Sequence, residues 1–186
     1  MGAIVSDYVM PEPEIQGWMG LEECNWLYHK AQEMEFVVEV GCWLGRSTHA
    51  LLSGCSGKVV AVDHWKGSVD ERDGNHALAS QVDVCQLFYQ NVGHFPNLFI
   101  LRGESTEAAK IFPPKSVDMV FIDAGHGFEE VLADLVAWSP ICKKLLCGHD
   151  LSYGSVRDAL ERQKFNFIHA IDAIWAVDMA NPFKEG

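Results

Sequence analysis

From residue 36 onward the chain repeats one pattern: a short apolar run rich in Val and Ile, then a longer stretch with helical spacing. The runs at about 36–40, 58–62, 98–102, 117–122 and 144–148 have the length and composition of strands buried inside a parallel sheet. Between them the polar–apolar period changes to that of a helix. FEEVLADLVAW turns Phe128, Val131, Leu132 and Leu135 to one side, and further helices are predicted near 76–92 and 155–163. A helix over 18–34 precedes the first strand, because Leu21, Cys24, Leu27, Tyr28, Ala31 and Met34 share a face. Strands alternating with helices give an α/β fold around a parallel sheet. The last two runs, FNFIHA and IWAVDM, are joined by a tight turn and predict a terminal hairpin. With 186 residues, 48% of them apolar, and no repeat or linker, the chain is expected to form a single domain over 1–186. Within it, residues 1–35 form an N-terminal helical extension and 36–179 the core.

The most telling segment is FVVEVGCWLGRST, Phe36 to Thr48. An apolar run stops at an acid, two glycines four apart allow a sharp turn, and Ser47 or Thr48 is placed to cap the following helix. The next run, KVVAVD, ends in Asp63, an acid at the second strand tip where a nucleoside ribose binds in such sheets. The dinucleotide pattern G-x-G-x-x-G is fitted poorly, since Cys42, Trp43 and Leu44 separate the glycines. Glu39 would also repel a pyrophosphate, whereas a carboxylate suits a ligand with a cationic amino group. S-adenosylmethionine (SAM) carries an ammonium and a sulfonium and no phosphate, so this chemistry favours it over NAD.

A second cluster lies at the later strand tips. VDMVFIDAGH ends a strand at Asp123 with His126 just beyond, and KKLLCGHD ends the next with His149 and Asp150. The carboxyl ends of parallel strands face the ligand crevice, so Glu39, Asp63, Glu104, Asp123, His126, His149 and Asp150 are expected on one rim. There His126 suits a general base, since an ordinary histidine pKa of about 6.5 lies near working pH. Alternatively Asp123, His149 and Asp150 could hold a divalent cation such as magnesium. Three classes of activity therefore stay open on these residues: methyl transfer, NAD-dependent oxidoreduction, and metal-dependent hydrolysis.

Composition narrows the partners. A formal charge of −12 argues against a nucleic-acid substrate, which needs clustered Lys and Arg. No run approaches a membrane span, and the start MGAIVSDYVMPEPE has no basic or long apolar region, so no leader is expected. The six cysteines include no C-x-x-C pair and suit a reducing cytoplasm. The apolar N-terminal segment offers a surface for a homodimer.

The order of these motifs resembles the class I SAM-dependent methyltransferases, and more narrowly methyltransferase domain family 24. The resemblance is carried by EVGCWLGRST, VDHW, RGES, FIDAGHGFEEVLADLVAW and GHDLSYGSVRDAL, and runs from about Phe36 to Met179. It implies a Rossmann-like, seven-stranded, mostly parallel sheet with a C-terminal antiparallel hairpin and helices on both faces. It also implies a place for each site residue. Glu39, Gly41 and Gly45, with Ser47 and Thr48, would surround the methionine part of SAM. Asp63 would bind the ribose, bordered by His64 and Trp65. Gly103, Glu104 and Ser105 would meet the adenine edge, and Asp123 would lie near the sulfonium. By similarity to sugar O-methyltransferases, Asp123, His149 and Asp150 would be metal ligands, His126 a base, and a small hydroxylated molecule such as a sugar the acceptor. The sequence departs from the family pattern at SPICKK, where a Pro-Gly-Gly turn is usual, at Glu104 in place of Asp, and at Leu151 in place of an aromatic residue. The loop 66–75, charged and glycine-rich beside the ribose acid, is a candidate lid.

Overall fold

The structure is a computed structural model that describes residues 7–67, 77 and 79–184. At its centre is β1 (Phe36–Val40), buried from Val37 to Val40 and paired on both edges. Such a strand must be apolar on both faces, which is why the run lacks polar alternation. It lies parallel to β2 (Lys58–Asp63) and β4 (Val117–Ile122), which continue outward to β3 (Leu98–Arg102) and β5 (Cys142–Gly148). The hairpin β6 (Phe167–Ile171) and β7 (Ile174–Asp178) adds two antiparallel strands, giving the order β3-β2-β1-β4-β5-β7-β6. This is the seven-stranded, mostly parallel sheet with a terminal hairpin that the sequence predicts.

One face packs beneath α1 (Leu21–Gln32), α2 (Arg46–Gly54) and α3 (Val84–Val92). The other packs beneath α4 (Ser105–Ala109), α5 (Phe128–Trp138) and α6 (Gly154–Arg162). Strand order reverses between β1 and β4, where a crevice opens at the carboxyl ends. Pairing also runs one residue past the strands: the amides of Gly41, Asp123, Gly103 and His149 donate to Val62, Val40, Asp63 and Ile122 carbonyls at 2.7–3.1 Å. The chemistry-bearing residues thus leave the sheet at one level.

Several expectations change. The helix expected over 76–92 becomes α3 from Val84, because the Asp83 side chain accepts from the Gln86 amide and caps it there. Residues 68–76, most of the expected lid, lie outside the described residues. Neither Ser47 nor Thr48 caps α2; Gly45 does so at φ +93°, and the two hydroxyl residues sit in the first turn. The fifth strand starts at Cys142, two residues early, and α4 is an unanticipated short helix. The apolar N-terminal side chains Tyr8, Ile15 and Met19 are buried within this chain, whereas Val9 and Trp18 stay exposed.

Candidate active site

The turn after β1 is built on close backbone approach. Gly41 has φ +85°, and a Cβ there would lie 2.1 Å from the Asp123 carbonyl oxygen. Only glycine lets the β1 and β4 tips touch in this way. Asp63 then fixes the turn from the next strand. Its Oδ2 accepts from the amides of Cys42 (2.8 Å) and Trp43 (3.0 Å), and its Oδ1 accepts from the Trp65 amide (2.6 Å). Asp63 still lines the crevice, together with Gly41, Ser47 and His64. Trp65 does not. At φ +55° its indole turns inward, donates to the Trp43 carbonyl at 2.9 Å and packs on Phe88, so the expected border on a ribose is absent.

Glu39 lies behind this wall, fully buried on the α2 side of β1. Its Oε2 accepts from the Thr48 hydroxyl, and its Oε1 has no hydrogen-bond partner among the described residues. Burial pushes its pKa from the ordinary 4.5 up to about 7, only partly offset by the nearby Ser47 and Thr48 hydroxyls. The folded state therefore holds a proton that the unfolded chain releases, and stability falls as pH rises from about 4.5 to 7. Glu39→Gln, which removes that ionisation, is expected to raise the melting temperature by several degrees at pH 8 and hardly at all at pH 4.5. The upper limit is about 3 kcal/mol, from about 1.4 kcal/mol for each pKa unit. Thermal melts of both proteins across this range check it, and an equal effect at both pH values would contradict it.

Two adjoining cavities open along the rim. The first, about 290 Å³, runs from the glycine turn past Asp123, His126, His149 and Asp150 to the N-terminal segment Gln16–Met19. The second, about 250 Å³, is bounded by Gly103, Glu104, Ser105 and Asp134. Both share Gly41, Asp63, His64, Ala124 and Gly125 in their walls. The hydroxyl of Ser105 is held by Asp134 and accepts from the Trp138 indole at 2.9 Å, which anchors the start of α4. Gly45 and Thr48 stand behind the first cavity with Glu39 and do not line it.

The β4 and β5 tips carry a linked set of acids and imidazoles. His126 Nε2 lies 2.8 Å from Asp150 Oδ2, and Tyr153 stacks on the His126 ring at 5.1 Å. Asp150 sits at φ +62°, and its other oxygen lies 3.4 Å from His149 Nδ1. His149 Nε2 meets Glu23 Oε1 at 3.0 Å, a contact from α1 that the sequence did not announce. The same Glu23 accepts from the Ala173 amide in the hairpin turn and, through Oε2, from the Gly20 amide that starts α1.

These contacts set the charges. Burial opposes a charged His149, but hydrogen bonds to Asp150 and Glu23 and the field of Asp123 outweigh it and push its pKa up to about 11. Burial likewise opposes ionisation of Asp150, yet the two imidazoles hold its carboxyl well below the usual range. Asp123 is pushed up to about 6 by burial, against the pull of His149. These contacts favour the charged, imidazolium form of His149. Of the expected metal set of Asp123, His149 and Asp150, the two carboxylates belong to the donor cluster found among the described residues. The donor atoms that come together, within 4.8 Å of one another, belong to Asp123, His126 and Asp150.

Solved structures with the same fold are numerous. An S-adenosylhomocysteine-bound O-methyltransferase from Bacillus cereus superposes with a TM-score of 0.62 at 16% identity, over 87% of this chain and 82% of its own. The S-adenosylhomocysteine-bound methyltransferase PaMTH1 of Podospora anserina gives 0.61 at 10% identity, over 90% and 80%. The TDP-rhamnose 3′-O-methyltransferase CalS11 of calicheamicin biosynthesis gives 0.54 at 14%, over 84% and 77%. At these identities the likeness establishes the fold. No curated protein sequence matches the chain. The family model for a methyltransferase domain matches residues 38–150, from β1 to the Asp150 tip, and the chain belongs to that methyltransferase family.

Proposed function

We propose that the protein is a SAM-dependent O-methyltransferase acting on a hydroxyl of a small molecule, with His126 as the base. One observation carries this: a cavity walled by the glycine turn and Asp63 also contains the His126–Asp150 pair. The residues fit the cofactor, since Glu39 keeps an unpartnered buried carboxylate oxygen behind the turn and Gly41 leaves a cradle that any Cβ would fill. SAM when bound supplies a methyl group on a sulfonium, already a good electrophile. Glu39 offsets its ammonium from behind the wall, and Gly41 and Ser47 lie along its methionine part. Asp63 and His64 meet the ribose, Gly103 and Glu104 the adenine in the second cavity, and Asp123 faces the reacting centre. Gly45, Thr48 and Ser105 act by shaping these walls.

Methyl transfer then needs alignment and removal of one proton. With Asp150 beside its Nε2, His126 takes the acceptor proton, and Asp150 stabilises the imidazolium that forms. A base of this kind typically contributes about 10²–10⁴ in rate. His126→Gln is therefore expected to lower kcat by about that factor while leaving S-adenosylhomocysteine affinity unchanged. Equal loss of affinity would contradict a base role.

A second reading rests on the three clustered donor atoms of Asp123, His126 and Asp150. A divalent metal there would make a coordinated hydroxyl more acidic, and an imidazole among the ligands suits Mn²⁺ better than Mg²⁺. Chelation separates the two: under the base reading activity survives EDTA, and under the metal reading it is lost and returns with Mn²⁺. We also place the protein in the cytoplasm. Its six cysteines are all free thiols, five of them buried, and no helix among the described residues is long and apolar enough to cross a membrane.

A further inference from the structure

We infer that the acceptor carries no phosphate or carboxylate group, so that the site selects a neutral or cationic hydroxylated compound. The inference rests on the methyltransferase reading above and concerns the acceptor end of the same cavity. The first cavity is lined by four carboxylates, Asp63, Asp123, Glu130 and Asp150. Among the described residues its wall contains one permanently charged base, Arg46. Three of that guanidinium's five N–H donors are already committed: Nε donates to the Met19 carbonyl at 2.7 Å, and Nη1 to the Ile15 carbonyl at 2.8 Å and to Glu14 Oε2 at 3.2 Å. Arg46 pins the N-terminal segment beside the cavity, and a Cβ on Gly17 would lie 3.0 Å from its Cβ and Cδ.

The other cationic group, the imidazolium of His149, is enclosed by Glu23, Asp123 and Asp150. The second cavity adds Glu104 and Asp134 and no Lys or Arg among the described residues. Lys66, between His64 and Gly67 of the first cavity's wall, has its Nζ 3.5 Å from Glu104 Oε1.

A distal anionic handle would leave the cavity past the N-terminal segment, where Gln16, Gly17, Trp18 and Met19 form the wall. Recognition of phosphate or carboxylate takes an arginine fork, a lysine or a helix N-terminus aimed at it. Among the described residues this wall presents aromatic and amide groups instead. Trp18 is 49% exposed, with its ring 5.9 Å from Trp43. Such a surface holds the face of an uncharged ring, or a cation over an indole. An anion placed there would lose hydration, meet no uncommitted Lys or Arg among the described residues and face the carboxylates behind it.

The test measures transfer of labelled methyl from SAM to matched acceptors differing in one charge. The pairs are catechol against 3,4-dihydroxybenzoate, dopamine against 3,4-dihydroxyphenylacetate, and methyl glucoside against glucose 6-phosphate. The inference expects at least one pair to be methylated, with kcat/KM about tenfold or more higher for the neutral or cationic member; tenfold corresponds to about 1.4 kcal/mol. Gln16→Lys, which places a cation in the wall, should narrow that ratio by raising turnover of the anionic member. Preference for the anionic members, no discrimination by charge, or methylation of none of the compounds overturns the inference. Calorimetry with S-adenosylhomocysteine on the same protein keeps the two readings apart. If it binds and the charge preference fails, the acceptor inference alone falls; if it does not bind, the methyltransferase reading falls first.

Discussion

Gly41→Ala is expected to remove cofactor binding and much of the stability together. The added Cβ would lie 2.1 Å from the Asp123 carbonyl oxygen, and the position has φ +85°, so both space and backbone conformation oppose it. The left-handed conformation alone costs a non-glycine residue about 1–2 kcal/mol. The clash involves backbone on both sides, so relief requires the β1 and β4 tips to part. That loosens the turn whose amides are held by Asp63 and widens the crevice between the two strands. We expect a loss of about 3–5 kcal/mol in stability and about 100-fold or more in S-adenosylhomocysteine affinity. Gly154→Ala at the start of α6 is the matched control: nothing lies within 4 Å of its Cβ, and the melting temperature should hold or rise slightly. Thermal melts and calorimetry on the two variants check both parts. A Gly41→Ala protein that melts and binds like the parent would show that the tips do not meet.

The second large effect is expected at Glu23, a residue with no place in the glycine motif. Glu23→Ala leaves the buried His149 without its Nε2 partner and also releases the amides of Gly20 and Ala173. Removing one member of a buried charge pair typically costs about 3–5 kcal/mol, because the remaining charge stays desolvated. For a chain of this size each kcal/mol shifts the midpoint by about 2–4 °C, so Glu23→Ala should melt roughly 10 °C lower. Glu23→Gln keeps the shape and an acceptor for the backbone amides, and its loss should be clearly smaller. If both variants melt with the parent, the Glu23–His149 pair does not hold α1 to the β5 tip.

The sheet was legible in the sequence because its strands are short and apolar and acids stand at or near their tips. The central ones are buried on both faces, while β3, expected as a buried strand, is an edge strand with Phe99 and Ile100 exposed. The hairpin was legible because FNFIHA and IWAVDM are short apolar runs joined by a tight turn. The start of α3 was not, since its sequence reads as helix for several residues before Asp83 provides the cap. Five-residue α4 is shorter than two turns and leaves no periodic signal.

In the site, Asp63, Glu104, Asp123, His126, His149 and Asp150 reach the two cavities, whereas Glu39 is buried behind their wall and two further side chains were not legible. Trp65 follows the ribose acid at a distance that suggests a ligand wall, but a left-handed backbone at 65 turns it into the core. Glu23 escaped notice because His149, its partner, is 126 residues away. A signal did exist: Glu23 stands four and eight residues before Leu27 and Ala31, on the buried stripe of α1, where an acid needs a partner. That contact also favours the charged form of His149.

The central claim is that this crevice binds the methyl donor and not a dinucleotide. Titration of the purified protein with S-adenosylhomocysteine by calorimetry, with NAD as the parallel titrant, tests it most directly. The account predicts micromolar binding of S-adenosylhomocysteine and none of NAD; absence of S-adenosylhomocysteine binding, or NAD binding in its place, would contradict it.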